Sequence, residues 1–278
     1  MRDYPSTAEM VVRQTRYQIS YFFRVPVALF FTLILPLVML VLFNALFRDD
    51  TVTIDGGEWS IRQFYTGGLA AYTAVSATYS NIGNMVPIRR DEGILKRWRS
   101  TPLPTWIYLV GLIGASVLIA FTGTILMLAT GYAFYDLSIV WAKMPAAFVT
   151  LLVGVASFAA LGMALVSMIK TASSSAAVVN ATILPLAFIS DVFVATDQDS
   201  TLATIANLFP LKPFVNAFQD CFNPFVEAPA FALDKLAFVA SWGVAGAVIA
   251  VKRFTWEPSG AAPRRGRRAR QAAVDATA

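Results

Sequence analysis

Histidine is absent from the 278-residue chain, and cysteine occurs once, at Cys221. The first absence removes His-based catalytic triads, His–metal sites and imidazole proton relays. The second removes intramolecular disulfides and thiolate zinc clusters. Charge is scarce too: Asp, Glu, Lys and Arg make up 14% of the residues, whereas a soluble domain carries about a quarter. What fills the space is apolar. Hydrophobic residues make up 57% and the mean hydropathy is +0.61. This balance excludes a disordered chain and a disulfide scaffold, and argues against a cytosolic enzyme. Lipid is the solvent it fits. The net charge of +5 agrees with Lys/Arg-rich cytoplasmic segments of a membrane protein better than with nucleic-acid binding.

Six apolar runs are each long enough to cross a bilayer, at 25–47, 64–86, 105–134, 145–169, 171–194 and 231–251. Pro36 is expected to kink the first and Pro185 to interrupt the fifth. Six crossings put both termini on one side. If that side is the cytoplasm, 17 of the 22 Lys and Arg lie inside, as the positive-inside rule requires. Arg48, Arg62, Lys143, Lys212 and Lys235 are then outside, among the acidic Asp49, Asp50, Asp55, Glu58, Asp191, Asp197 and Asp199. No internal repeat is visible, which argues against an inverted-repeat secondary transporter. The expected fold is an all-α membrane protein. It has a cytoplasmic N-terminus and elbow helix (1–24), a six-span transmembrane domain (25–251) and a basic, disordered cytoplasmic tail (252–278). The tail serves as a topology and headgroup anchor.

Three stretches outside the spans carry further pattern. Segment 9–24 sets Arg13 and Arg16 on one face and Val12, Ile19 and Phe23 on another, the pattern of an interfacial helix or of a basic flank. Segment 190–230 is too long for a plain loop and is broken by Pro210, Pro213, Pro224 and Pro229. It reads as short helices that dip into the outer leaflet and return, or as an amphipathic external loop. The cytoplasmic loop 87–104 contains Glu92-Gly93-Ile94-Leu95-Lys96-Arg97-Trp98 and ends at Pro102 and Pro104. Ile94, Leu95 and Trp98 form an apolar ridge on a charged helix, suited to a groove on a partner. The bland alternative is a positive-inside loop with Trp98 at the interface.

The second span is unusually polar. Tyr65, Tyr72, Ser76, Tyr79, Ser80 and Asn84 fall within about 140° of one face at 100° per residue, and Thr73 adds to them. Such a stripe faces water, cargo or another helix rather than lipid. In the fifth span Asn180 is the strong polar group, with Thr182 close by and Phe188 further out. No ionisable residue sits clearly inside a span. That argues against ion coupling and favours a bulky amphipathic or lipid-like cargo. With no cluster of carboxylates, His or Cys at depth, a catalytic or metal site is not expected. Gly154, Gly162, Gly243 and Gly246 read as close helix packing.

Residues 91–97 followed by Thr101-Pro102-Leu103-Pro104 resemble the E-x-G-T-L…L-x-x-T-P-L signature of ABC-2-type permeases, the membrane subunits of ABC exporters. The Lys-Arg version is similar to the drug-export and antibiotic self-resistance branch. Ile94 stands at the usual threonine and Trp98 at a common leucine. Residues 184–193 resemble the family's P-L-x-F-x-S-G-x-F segment, with Asp191 in place of glycine. The resemblance implies a dimer of six-span halves, a homodimer by expectation, docked on two copies of a separate ABC ATPase. No glycine is followed by lysine, so G-x-x-x-x-G-K-[ST] is absent and ATP and Mg²⁺ belong to the partner ATPase, with no cofactor on this chain. It further implies that Glu92, Ile94, Leu95 and Trp98 seat in the ATPase, that spans two and five line the path, and that the protein resides in the inner membrane of a bacterium. The expected function is ATP-driven export of an amphipathic small molecule, drug or lipid. Export of a polysaccharide or lipid-linked glycan is the alternative within the class, and ATP-independent secondary transport the alternative outside it.

Overall fold

The computed structural model describes residues 5–47, 50–54, 57–99, 104–196 and 200–255. The chain is mostly helical. Helix α1 (Thr7–Arg24) starts at Ser6, whose side chain accepts from the Glu9 amide, as an N-cap does. Helix α2 (Pro26–Leu46) follows after the single extended residue Val25. It widens to a π turn over Phe30–Ile34 just ahead of Pro36. The Leu35 amide bonds back to Phe30, and the missing donor of Pro36 is absorbed in this change of register.

A small antiparallel hairpin, β1 (Thr51–Ile54) and β2 (Gly57–Ser60), pairs Val52 with Trp59. The β-branched run Thr51-Val52-Thr53-Ile54 favours a strand, a departure from the all-α expectation. Helix α3 is continuous over 61–91, built of Ile61–Val75, a π turn at Ser76–Ser80, and Asn81–Asp91. At ~1.5 Å per residue it is roughly 45 Å long. The knuckle helix α4 (Ile94–Arg99) comes next, then α5 (Thr105–Phe134), α6 (Met144–Met168) and α7 (Ala172–Ile189). Short helices α8 (Thr201–Ala206) and α9 (Leu211–Asp220) precede α10 (Leu233–Arg253).

Five helices among the described residues are long and apolar enough to cross a membrane: α2, α5, α6, α7 and α10. The chain is therefore a multi-pass membrane protein. The expected second span, 64–86, lies in α3, which is not one of the five; it is more polar and wrapped by its neighbours. Ile61 and every residue from Phe64 to Val75 are buried. Helices α2, α5, α6, α7 and α9 all pack against α3. Pro185 does not interrupt the fifth run. Helix α7 passes through it unbroken and stops at Ser190.

Between helices in lipid, close approach rather than apolar burial gives the attraction. Helix α10 lies tightly along α6 because Gly243 and Gly246 have no side chain: a Cβ on Gly243 would come within 2.8 Å of the Ser157 Cα. Helix α1 lies on α5 at Gly111, where the Gln14 side chain occupies the space of a Cβ.

Candidate functional site

The knuckle begins where α3 ends. Gly93 takes φ of +71° and nothing lies within 4 Å of where its Cβ would be. Glycine is needed here for the left-handed turn, not for a close backbone approach. The turn throws α4 back against the bundle. Leu95 is 0% exposed and belongs to one buried cluster with Ile82, Val86, Tyr108, Leu112 and Met163. It is thus an internal anchor, and the apolar ridge expected to face a partner is not left whole. Ile94 is half-buried, while Glu92, Lys96 and Arg97 point outward. The side chain of Trp98 and residues 100–103 lie outside the described part, and so does the basic tail from residue 256 onward.

The expected cytoplasmic loop 87–104 includes Arg89 and Arg90, and Asp91 opens the motif; the structure gives all three a central place. Arg89 and Arg90 are buried in the last turn of α3. The Arg89 guanidinium lies 4.4 Å from the Tyr21 ring centre of α1. It donates to the Gln18 side chain of α1 and, at 3.3 Å, to the Tyr108 hydroxyl of α5. Arg90 donates to the Ile169 carbonyl at 2.6 Å, at the negative end of α6. Asp91 accepts from the Ala172 amide at 2.6 Å, at the positive end of α7. Three consecutive residues thus tie α3 to α1, α5, α6 and α7, immediately before the knuckle. The available signal was the triplet itself: two cations and an anion at the end of an apolar span.

The polar stripe of α3 is covered in this single chain. Tyr65, Tyr72, Thr73 and Ser76 are buried, while Ser80 and Asn84 are half-buried. Tyr79 and Thr182 meet, their hydroxyls 2.8 Å apart, joining α3 to α7. Thr73 faces α5 instead: its hydroxyl donates back to Leu69, and its methyl fills the space beside Gly123. Tyr65 stacks on Phe43 with ring centres 4.7 Å apart. Phe193, unremarked as a site residue in the sequence reading, contacts Tyr72, Phe43 and Phe188 with ring centres 5.3, 6.4 and 5.2 Å apart. Asn180 and Phe188 are exposed on the outer face of α7.

Below Phe193 sits a charge pair that the outside-loop reading did not foresee. Asp191 is 1% exposed and Lys212 0%, with Oδ2 and Nζ 3.3 Å apart. Asp191 holds φ of +59°, a left-handed turn that aspartate tolerates better than most residues; this is how it replaces a glycine. Its other carboxylate oxygen accepts from the Thr196 amide, and Gln219 of α9 donates to both the Asp191 and Phe64 carbonyls. Helix α9 is therefore pinned to α3 and to the end of α7. Cys221 just beyond it is buried, and burial first, then Asp220, pushes its thiol up to about 12. Among the described residues no group of three or more Cys, Asp or Glu could hold a metal.

A buried polar helix sheathed by apolar ones, with charged staples at both ends, defines an integral membrane protein whose helices are mechanically linked. The profile of the ABC-2 type transporter family matches residues 11–223, and the chain belongs to that family. No curated protein matches it at a significant level. Members are membrane components of transporters and normally work with an ABC ATPase.

Proposed function

We propose that the chain is the permease half of an ATP-driven exporter. It moves an amphipathic small molecule, drug or lipid out of the cytoplasm or the inner leaflet of a bacterial inner membrane. The observation that carries this reading is the junction at 89–95. A short helix with outward Glu92, Lys96 and Arg97 is anchored inward by Leu95 and stapled, through Arg89, Arg90 and Asp91, to four helices. A push on the knuckle therefore moves the bundle rather than one loop. In this reading α3 is the sixth crossing and α1 the interfacial elbow. Segment 190–230, with α8 and α9, is the re-entrant hairpin, and both termini are cytoplasmic.

Two copies of an ABC ATPase supply ATP and Mg²⁺, and Glu92, Gly93, Ile94, Lys96, Arg97 and Trp98 form the docking face. Exposed Asn180 on an apolar helix calls for a protein or water neighbour; a second copy of the chain, facing α7, provides it. The path then runs between Asn180, Thr182, Tyr79, Ser80 and Asn84, closed at its outer end by Tyr65, Tyr72, Phe188 and Phe193. The drug-export branch is favoured by the aromatic, hydroxyl-bearing surface without a buried counter-charge along the spans. Proteoliposomes carrying the chain and its ATPase test this. ATP-dependent movement of a fluorescent amphipathic dye or lipid is expected, and movement without ATPase or ATP would overturn it.

A further inference from the structure

Helix α1 carries a feature that neither the coupling role nor the path uses. Arg13, Arg16, Tyr17, Ser20, Tyr21 and Arg24 line a shallow basin of about 400 Å³ that is open to the surface. Their spacing places all six on one face, centred on the small residue Ser20. Arg13 is held by Glu9, the one acidic residue of the helix, whereas Arg16 and Arg24 have no carboxylate partner among the described residues. Two aromatic walls, two uncompensated guanidinium groups and a small floor make a basin for a phosphate-sized anion. The basin is not isolated. Its wall Tyr21 carries the buried Arg89 on its ring, so its contents adjoin the end of α3.

The rest of the helix indicates what fills it. Gln14, Gln18 and Phe22 are buried against the bundle. Val12 and Phe23 are exposed, at 65% and 53%, and at 100° per residue they lie about 100° around the helix from the arginine face. An exposed apolar stripe dips into the acyl boundary. That sets the arginines beside it at headgroup depth. We propose that this basin is a binding site for the phosphate headgroup of an anionic phospholipid, and that its occupancy steadies the α1–α3 junction through Tyr21 and Arg89. The site rests on the membrane placement of the chain, not on the direction or cargo of transport.

The full chain, purified without ATPase or cargo from mixed phosphatidylglycerol and phosphatidylcholine nanodiscs, provides the test. Native mass spectrometry counts the retained lipids. The wild type should retain phosphatidylglycerol preferentially. Removing both cations in R16Q/R24Q should lower that retention roughly 25-fold, about five-fold per arginine, from ~1 kcal/mol per basic residue at an anionic surface. Ser20→Leu fills the basin without changing charge and should lose the preference too. K252Q/R253Q, at the end of α10, should keep it. Equal loss in K252Q/R253Q would show general surface charge, and an unaltered preference in Ser20→Leu would show that the basin is not the site; either overturns the proposal. Inorganic phosphate in millimolar excess should leave the lipid bound. If it displaces the lipid, the site belongs to a soluble phosphate. If R16Q/R24Q keeps its lipid but no longer co-purifies with the ATPase, the face is a protein dock. A failure of ATP-driven transport would leave these lipid counts untouched, so the two readings fail separately.

Discussion

The two ends of α3 differ in what links the separate segments that meet there. At the knuckle end, charged groups mostly address neutral ones on other helices: Arg89 the side chains of Gln18 and Tyr108, Arg90 the carbonyl of Ile169, Asp91 the amide of Ala172; the ion pair there, Arg90 with Asp91 at 3.7 Å, joins neighbours within the chain. At the other end, ion pairs between separate segments prevail, Asp191 with Lys212, Asp220 with Lys235 and Asp136 with Arg62, although Lys143 donates to the Asn223 carbonyl. Bonds to helix ends follow the helices they cap, so the knuckle end behaves as a joint. Ion pairs between separate segments part as those segments part, so the far end behaves as a latch. Arg89 and Arg90 have been drawn into the joint, while the five cations that the positive-inside count expects outside include three that close the latch.

The comparison is broken most severely at Asp191. Asp191→Ala leaves Lys212 charged with no partner in a fully buried place, a loss of about 3–5 kcal/mol. Thermal unfolding in detergent should show it, and the double variant D191N/K212M should recover much of the loss. Next come the staples. Arg90→Ala strands the Ile169 carbonyl and frees the end of α6, costing about 2–3 kcal/mol. Arg89→Ala should cost a similar amount, with the loss felt as release of α1, measurable as faster proteolysis of the N-terminal segment. Leu95→Ala opens a cavity beside Ile82 and Tyr108, for about 2–4 kcal/mol. Lys96→Ala should leave the unfolding temperature unchanged and lower ATPase-driven transport. If it destabilises the chain as Leu95→Ala does, the outward face is structural and the division between anchor and dock is lost.

The smallest effect concerns Cys221. With its thiol pushed up to about 12 by burial, the fold favours the neutral form. That contribution is complete below the ordinary thiol range near pH 9 and is lost between there and pH 12 as the unfolded chain ionises first. At neutral pH Cys221 should resist maleimide until the protein unfolds.

Much of this was legible in the sequence because lipid imposes simple rules. The runs 105–134, 145–169 and 231–251 match helices to within two residues, since a long apolar segment has few alternatives. A helix in the N-terminal segment, Thr7–Arg24, was expected from its alternation of arginines and aromatics. What escaped depended on where charges end up. Composition makes Arg89 and Arg90 look like loop cations; only the meeting of α1, α5 and α6 shows that they have buried acceptors. Leu95 looked like part of a docking ridge because its helix was read alone, and the turn at Gly93 decides which face turns inward. Asp191 looked external because a single buried lysine, 21 residues further on, could not be paired with it from spacing. Phe193 lay inside a quoted motif, yet its contact with Tyr72 needs the left-handed turn at Asp191.

The most direct measurement is a single-residue cross-link from the knuckle. In the Lys96→Cys variant, with Cys221 buried, a thiol cross-linker applied to inverted vesicles should join this chain to its ATPase, and ATP should change the yield. A membrane-impermeant maleimide added to intact cells should leave the introduced thiol unlabelled. Labelling from outside, or a knuckle that joins to no second protein, would contradict the account.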